Sequence, residues 1–164
     1  MSDQEGQAED PREERGDIPP YDPAAVGRVA KVIELRNIEL LHAHFERSDD
    51  EPLPAEPSEI GPVAPEVLLD VAWDADQSRA LLGYVVRFGA VSEDPSFRVY
   101  AFFRLVYEVA GDVDFEEAEL EQFGHWNAVF NAWPYFREYV SSTVNRAGLP
   151  RLVLPVMRVP RRDG

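Results

Sequence analysis

The chain has 164 residues and no cysteine, which excludes disulfides and thiolate metal sites, and its length suits one domain with or without tails. A formal net charge of −15 argues against nucleic acid and anionic membrane surfaces as partners. The N-terminus has no apolar stretch of the secretory kind and no apolar run is long enough for membrane insertion, so we expect a cytoplasmic protein.

Both ends of the chain predict tails. Residues 1–25 are acidic, contain prolines and hold almost no large apolar side chain before Tyr21, a composition typical of a disordered tail. Residues 158–164 predict a short basic tail, rich in arginine. The folded domain is therefore expected over residues 26–157.

Residues 28–47 predict one long strand at the start of this domain. Aliphatic side chains alternate up to Leu35 and then change phase near Asn37, which indicates a β-bulge. A helix is the competing interpretation for residues 35–47, because apolar side chains there also recur at helical spacing. Periodicity alone leaves the two open.

Three further strands follow a proline-rich connector over residues 48–65, which is too long for a hairpin turn. Residues 66–76 alternate apolar and polar side chains, with Val67, Leu69, Val71 and Trp73 on one face. Residues 79–91 and 97–110 continue the same pattern after short turns. These segments predict an antiparallel meander, which the first strand completes as a four-stranded sheet.

Helices are predicted after the sheet. Asp114 with Glu117 forms a capping-box pattern for a short helix over 115–123, which Gly124 would end. The main helix is predicted over residues 126–149, where aromatic and aliphatic side chains form one stripe. Gly148 suits its left-handed C-terminal position.

Pro134 requires a kink or a restart in the main helix. A proline in a helix interior removes a hydrogen bond and costs about 3 kcal/mol. Asn131 offers an N-cap that would place Pro134 in the first turn of a new helix. The predicted fold class is therefore α+β, with a four-stranded antiparallel sheet followed by a kinked or broken C-terminal helix.

The sequence contains no recognisable catalytic constellation, phosphate loop or nucleophile elbow. His42 and His44 would share one strand face, but no third metal ligand has suggestive spacing. His125 fits a capping or packing role at a helix junction. We therefore predict a protein that is not an enzyme, with no catalytic residue, no metal and no cofactor.

Apolar side chains occupy both faces of the predicted strands, as at Leu81 and Leu82 or Phe102 and Phe103. A lone four-stranded sheet with helices on one side has one face left over. The remaining apolar surface has to be buried between subunits or serve as a binding surface.

The end of the chain resembles the SecB family of export chaperones. The resemblance rests on Trp133-Pro134-Tyr135-Phe136-Arg137-Glu138, on the turn from Arg146 to Pro150, and on the alternating segment Leu152-Val153-Leu154-Pro155-Val156. With the order of strands, crossover and helices, it extends over residues 28–157. It implies a homotetramer, a dimer of dimers in which sheets pack between subunits and helices lie outside.

The resemblance also implies ATP-independent binding of unfolded or nascent polypeptide in apolar grooves, in support of protein export. The grooves would lie between the connector, the strand that follows it and the main helix. The implied client-binding residues are Val63, Val67, Leu69, Val71, Trp126, Phe130 and Trp133.

Two departures from the family pattern shape the expected partners. The chain shows neither the second C-terminal helix nor the Cys/His zinc tail of family members that deliver clients to the SecA motor, so delivery to SecA is not expected. The pattern is closer to SecB-like chaperones that protect the antitoxin of a toxin–antitoxin system. A structural or assembly protein whose groove is closed by its own side chains is the remaining alternative.

Overall fold

The computed structural model describes residues 18–47, 64–93 and 96–157. Within these residues, one antiparallel four-stranded sheet carries a helical layer on one face. This confirms the predicted α+β class. The basic tail, nearly all of the connector and most of the acidic tail fall outside the described residues.

A short helix, α1 (Pro23–Ala30), precedes the sheet. Asp22 caps it by accepting hydrogen bonds from the backbone N–H groups of Ala24, at 2.9 Å, and Ala25, at 3.3 Å. Pro23 follows at the first helical position, where its missing N–H costs nothing. Two predicted boundaries are therefore wrong, because residues 23–25 are helical rather than tail and residues 28–30 are helical rather than strand.

Strand β1 (Ile33–Arg47) settles the ambiguity over residues 35–47 in favour of a strand. It pairs antiparallel with the last strand, and the register shifts between Leu35 and Asn37, which confirms the predicted bulge. A second shift lies between Leu40 and His42. Each bulge inserts one residue and so returns the next aliphatic side chain to the sheet face that the helices cover. The aliphatic side chains of β1 therefore recur at spacings that resemble those of a helix.

The meander is confirmed as β2 (Glu66–Asp76), β3 (Leu81–Glu93) and β4 (Ser96–Val109). A single 3₁₀ turn, Gln77–Arg79, joins the first two strands. The sheet order is β1-β4-β3-β2, so β1 and β2 are its two edges.

The helical layer is one continuous rod rather than two helices. It runs through α2 (Glu117–Phe123), a π-helical segment (Gly124–Ala128) and α3 (Val129–Arg146). Gly124 therefore begins a π-helical turn and does not end the first helix. The predicted cap is also displaced, since Glu119 accepts a hydrogen bond from the backbone N–H of Glu116, at 3.0 Å.

Pro134 lies inside α3, and the predicted restart at Asn131 is wrong. The interruption of regular α-helix is the π-helical segment, which lies about one to two turns before Asn131. The predicted end is confirmed: Gly148 has φ +67°, and the N–H of Leu149 bonds to the carbonyl of Val144 at 3.2 Å. This is a Schellman motif, which satisfies carbonyls that the helix end leaves free.

Aromatic side chains form the core between rod and sheet. Phe88 stacks on Phe136 with ring centroids 4.9 Å apart, and Phe123 packs edge-on to Tyr107 at 5.3 Å. The opposite sheet face carries cross-strand ion pairs such as Arg87–Asp70 at 2.9 Å. No helix within the described ranges is both long and apolar enough to cross a membrane.

Candidate functional site

An apolar cleft opens where edge strand β2 runs beside the π-helical segment and the start of α3. Its volume is about 100 Å³. Five of its lining side chains belong to the sheet and the rod, and the last two come from the segments that enter and leave the domain. They are Leu69, His125, Trp126, Val129, Phe130, Ile18 and Met157.

The π-helical segment brings the rod close to the sheet. A Cβ atom added to Gly124 would lie 2.7 Å from Cε1 of Tyr84 and 3.1 Å from Cγ1 of Val71, so only glycine fits this approach. The wider π turn also changes the direction in which the next side chains project. Trp126 is thereby placed beside Leu69 at the edge of the sheet.

Three of the seven predicted client-binding residues meet in this cleft: Leu69, Trp126 and Phe130. Phe130 is 49% exposed, which is high for a phenylalanine in a folded domain. Val67 is half-buried on the face of β2 that carries Leu69. Val63 lies outside the described residues.

The structure places Val71 and Trp133 in the core instead. Trp133 is only 4% exposed, packs on Phe88 with ring centroids 5.4 Å apart, and donates a hydrogen bond to the carbonyl of Pro155 at 3.2 Å. Helical spacing alone put Phe130 and Trp133 on one stripe. In the structure, however, the buried stripe of α3 is centred near Val129. Since successive residues are about 100° apart around a helix, Phe130 lies about 100° from that centre. Phe130 therefore falls at the exposed margin of the stripe.

The N-terminal segment Ile18–Asp22 lies along the rod beside the cleft, which the sequence did not predict. Trp126 Nε1 donates to the carbonyl of Pro19 at 3.1 Å, and the Tyr21 ring meets the indole edge-on at 5.4 Å. Gln122 Nε2 donates to the carbonyl of Pro20 at 2.7 Å, and Gln122 Oε1 accepts from the N–H of Asp22 at 2.9 Å.

A signal for this contact exists in the sequence. Ile18-Pro19-Pro20-Tyr21 is apolar and favours an extended backbone, because proline restricts the backbone dihedral angles both of its own residue and of the residue before it. It directly precedes the Asp22-Pro23 start of α1. Acidic composition over the preceding residues concealed it by making the whole stretch resemble a tail.

A larger depression, of about 340 Å³, lies at the far end of the sheet between the 3₁₀ turn and the loop before α2. Its lining includes the carboxylates of Asp76, Asp112 and Asp114. The hydrogen bond from Ser78 lowers the pKa of Asp76 below its usual value. Most of the other lining residues are apolar, but the three aspartates add negative charge to this depression. The lining of the smaller cleft, as the described residues form it, has no acidic side chain and includes the exposed Phe130, so the smaller cleft is the better candidate for apolar chain capture.

Polar groups in the core are matched to partners. Tyr84 donates from its hydroxyl to the carbonyl of Leu120 at 2.8 Å, and Asn131 Nδ2 donates to the Tyr107 hydroxyl at 3.0 Å. Burial raises the pKa of Tyr84, and it raises the pKa of Tyr107 to about 12. Both tyrosines thus pin the rod to the sheet as neutral hydroxyls.

The histidines and acidic side chains are the groups of this chain that a metal site would use. No group of three or more histidine, cysteine or acidic side chains in the part of the chain that the structure describes could hold a metal ion. His42 and His44 lie on the open sheet face, opposite Phe102 and Tyr100. His125 Nδ1 donates to the carbonyl of Glu121 at 3.1 Å, a packing role within the rod.

Comparison with known proteins identifies the fold. No protein-family model and no curated protein matches the chain. Among solved structures, the SecB-like chaperone Rv1957 of Mycobacterium tuberculosis, in complex with a ChAD peptide from the antitoxin HigA1, matches at a TM-score of 0.68 with 21% identity, over 82% of this chain and 94% of that chain. A Streptococcus agalactiae protein of unknown function matches at a TM-score of 0.49 with 12% identity, over 76% and 97%. The predicted SecB-like fold is confirmed.

Proposed function

We propose that the protein is an ATP-independent chaperone that binds apolar segments of unfolded or nascent polypeptide at the cleft between β2 and the rod. The single observation that carries this proposal is the position of Phe130. It stands half-exposed beside Leu69 and Trp126, on a scaffold whose other large aromatic side chains are mostly buried. An extended apolar segment can bury its side chains against exposed aromatic surface that lies next to a sheet edge.

Edge strand β2 supports the same reading. In the described part of the chain β2 is an edge strand of the sheet and lies beside the cleft, a position at which extended segments are commonly recognised. Burial of client side chains gains about 25 cal/mol per Å² before ordering costs are subtracted. The net charge of −15 keeps a protein with such a surface soluble in the cytoplasm, where we place it.

A dedicated antitoxin chaperone is the second candidate. The observation that favours it is that Rv1957, whose fold this chain shares, was solved with an antitoxin peptide. Both candidates describe binding rather than catalysis. A toxin–antitoxin pair beside the gene, and binding of that antitoxin in preference to unrelated unfolded chains, distinguishes the second candidate from a general chaperone.

Suppression of aggregation tests the general proposal. Insulin aggregates when dithiothreitol reduces it, and the reductant leaves this cysteine-free chain unaltered. We expect the wild-type protein to suppress light scattering at a stoichiometric ratio. The Phe130→Ser variant should need about tenfold more protein for the same effect, since a buried aromatic anchor commonly contributes 1.4 kcal/mol or more.

Tyr135→Ser is the matched control. Tyr135 lies on the same helix and is 51% exposed, close to the value for Phe130, but does not line the cleft. It should retain near wild-type suppression. Equal loss in both variants would place binding elsewhere, and absence of suppression by the wild-type protein would overturn the general proposal.

A further inference from the structure

The cleft is too small, as it stands, for the chain segments that it would bind. Sites that enclose even small ligands usually have volumes of about 300 to 1,000 Å³, whereas this cleft has about 100 Å³. Two of its walls, Ile18 and Met157, belong to the segments that enter and leave the domain. Movement of either segment would enlarge the cleft without disturbing the sheet.

The contacts of Ile18–Asp22 are those expected of a bound peptide. Indole and carboxamide N–H groups hold two successive backbone carbonyls, and the Gln122 carboxamide also accepts from the backbone of Asp22. Because these contacts are made to backbone groups, they do not depend on which side chains the bound segment carries. The aromatic contact of Tyr21 with Trp126 adds the apolar component.

From these contacts we infer that Ile18–Tyr21 is an internal occupant of the client site, and that the site favours extended segments in which an aliphatic residue precedes an aromatic residue by three positions. This rests on the proposed function of the cleft. A client would displace the internal segment from Trp126 and Gln122 and would accept the indole N–H of Trp126 in its place, whereas Gln122, outside the cleft lining, would hold only the internal segment. Occupancy by a tethered segment at millimolar effective concentration lowers the apparent affinity of every client by the same factor, so only clients of high intrinsic affinity remain bound at low concentration.

The first test measures client affinity in full-length variants. The probe is fluorescently labelled, reduced and carboxymethylated α-lactalbumin, which is stably unfolded. Ile18→Ser combined with Tyr21→Ser should bind it at least about threefold more tightly than wild type, because an occupied fraction of two thirds reduces apparent affinity by that factor. Gln122→Leu should shift affinity in the same direction, since it removes both carboxamide hydrogen bonds from a position outside the cleft lining.

Val113→Ser is the control, because Val113 is exposed and apolar but lies at the far end of the sheet. It should leave the affinity unchanged. Unchanged affinity in both the double variant and Gln122→Leu would overturn the internal occupant, even if wild type binds the probe well.

The second test does not depend on any client. A labelled synthetic peptide of residues 16–22 is titrated into the full-length double variant, with a scrambled peptide as reference. We expect saturable binding of the native sequence, weakened at least about threefold by an added Trp126→Phe substitution, which removes the donor to Pro19. Equal binding of native and scrambled peptides would overturn the inference, whereas peptide binding without α-lactalbumin binding would overturn only the general chaperone proposal.

Discussion

At the scale of single residues, Gly124 decides how closely the rod approaches the sheet. Its missing side chain leaves room for the Tyr84 ring and for Val71 on the neighbouring strand. The same approach places Trp126 beside Leu69, so the geometry of the cleft depends on a residue that does not line it.

Gly124→Ala should therefore destabilise the protein. A Cβ 2.7 Å from the Tyr84 ring forces a shift in a packed core, and we expect a loss of about 1 to 3 kcal/mol in the free energy of unfolding. Gly27→Ala is the control, because no atom lies within 4 Å of its added Cβ and helix α1 should gain about 0.5 to 1 kcal/mol. Urea denaturation measures both; a stabilising Gly124→Ala would contradict the packing described.

Tyr84 and Tyr107 give stability an alkaline limit. Their pKa values are raised by burial, so the folded state keeps both protons at pH values where the unfolded chain releases them. Their contribution is complete below pH 10, the ordinary tyrosine value, and is lost as the pH rises towards about 12, where Tyr107 titrates in the folded protein.

Tyr84→Phe tests this pH dependence by urea denaturation at several pH values. It should lower stability near pH 7 by about 1 kcal/mol, since the Leu120 carbonyl loses a donor, and should make stability fall less steeply above pH 10. Tyr135→Phe, at an exposed site, should change neither property. If stability falls equally steeply above pH 10 in Tyr84→Phe and in wild type, Tyr84 does not contribute to the alkaline limit.

At the scale of elements, Glu119 provides the polar link between helix α1 and the rod, beside the apolar contact made by the buried Val29. This carboxylate is 5% exposed, lies 2.8 Å from Arg28 on α1 and accepts the N–H of Glu116. It thus joins the start of α2 to α1, the helix that directly follows the Ile18–Asp22 segment in the chain.

Glu119→Ala should cost about 1 to 3 kcal/mol, because it removes a charge-assisted hydrogen bond and an ion pair from a buried position. Most of the loss should persist in high salt, which screens buried charges less than exposed ones. Glu117→Ala, in the exposed first turn of the same helix, should cost less than about 1 kcal/mol. Thermal unfolding compares the two, and equal losses would argue against this attachment.

At the scale of the whole molecule, β1 is a 15-residue edge strand with exposed aliphatic side chains, including Leu40 at 51%. Long apolar edges promote association unless they are covered. A second copy of the chain could cover this edge, which agrees with the predicted homotetramer in which sheets pack between subunits.

Sedimentation velocity tests this assembly. Wild type should sediment as a species larger than a monomer, and Leu40→Lys should shift the distribution towards smaller species, because a charge on the edge opposes pairing. Val113→Lys, at an exposed apolar site away from β1, should leave the distribution unchanged. A monodisperse wild-type monomer would contradict the predicted tetramer.

Local periodicity in the sequence was enough to predict the sheet meander, the bulge near Asn37 and the glycine-ended aromatic helix. Each of these depends on alternation, on a 3.6-residue stripe or on turn chemistry within a few positions. The aromatic surplus and the resemblance to SecB also predicted the region of the candidate site, with Leu69, Trp126 and Phe130 among its residues.

Tertiary structure alone decided which aromatic side chains face outward. Phe130 and Trp133 share one apparent stripe, and only docking of the rod against β2 and β3 directs Trp133 into the core and leaves Phe130 exposed. The π-helical segment and the placement of Ile18–Asp22 along Gln122 and Trp126 likewise depend on contacts about 100 residues apart in the chain. Such contacts leave no period in the sequence, because their partners are brought together only by the fold.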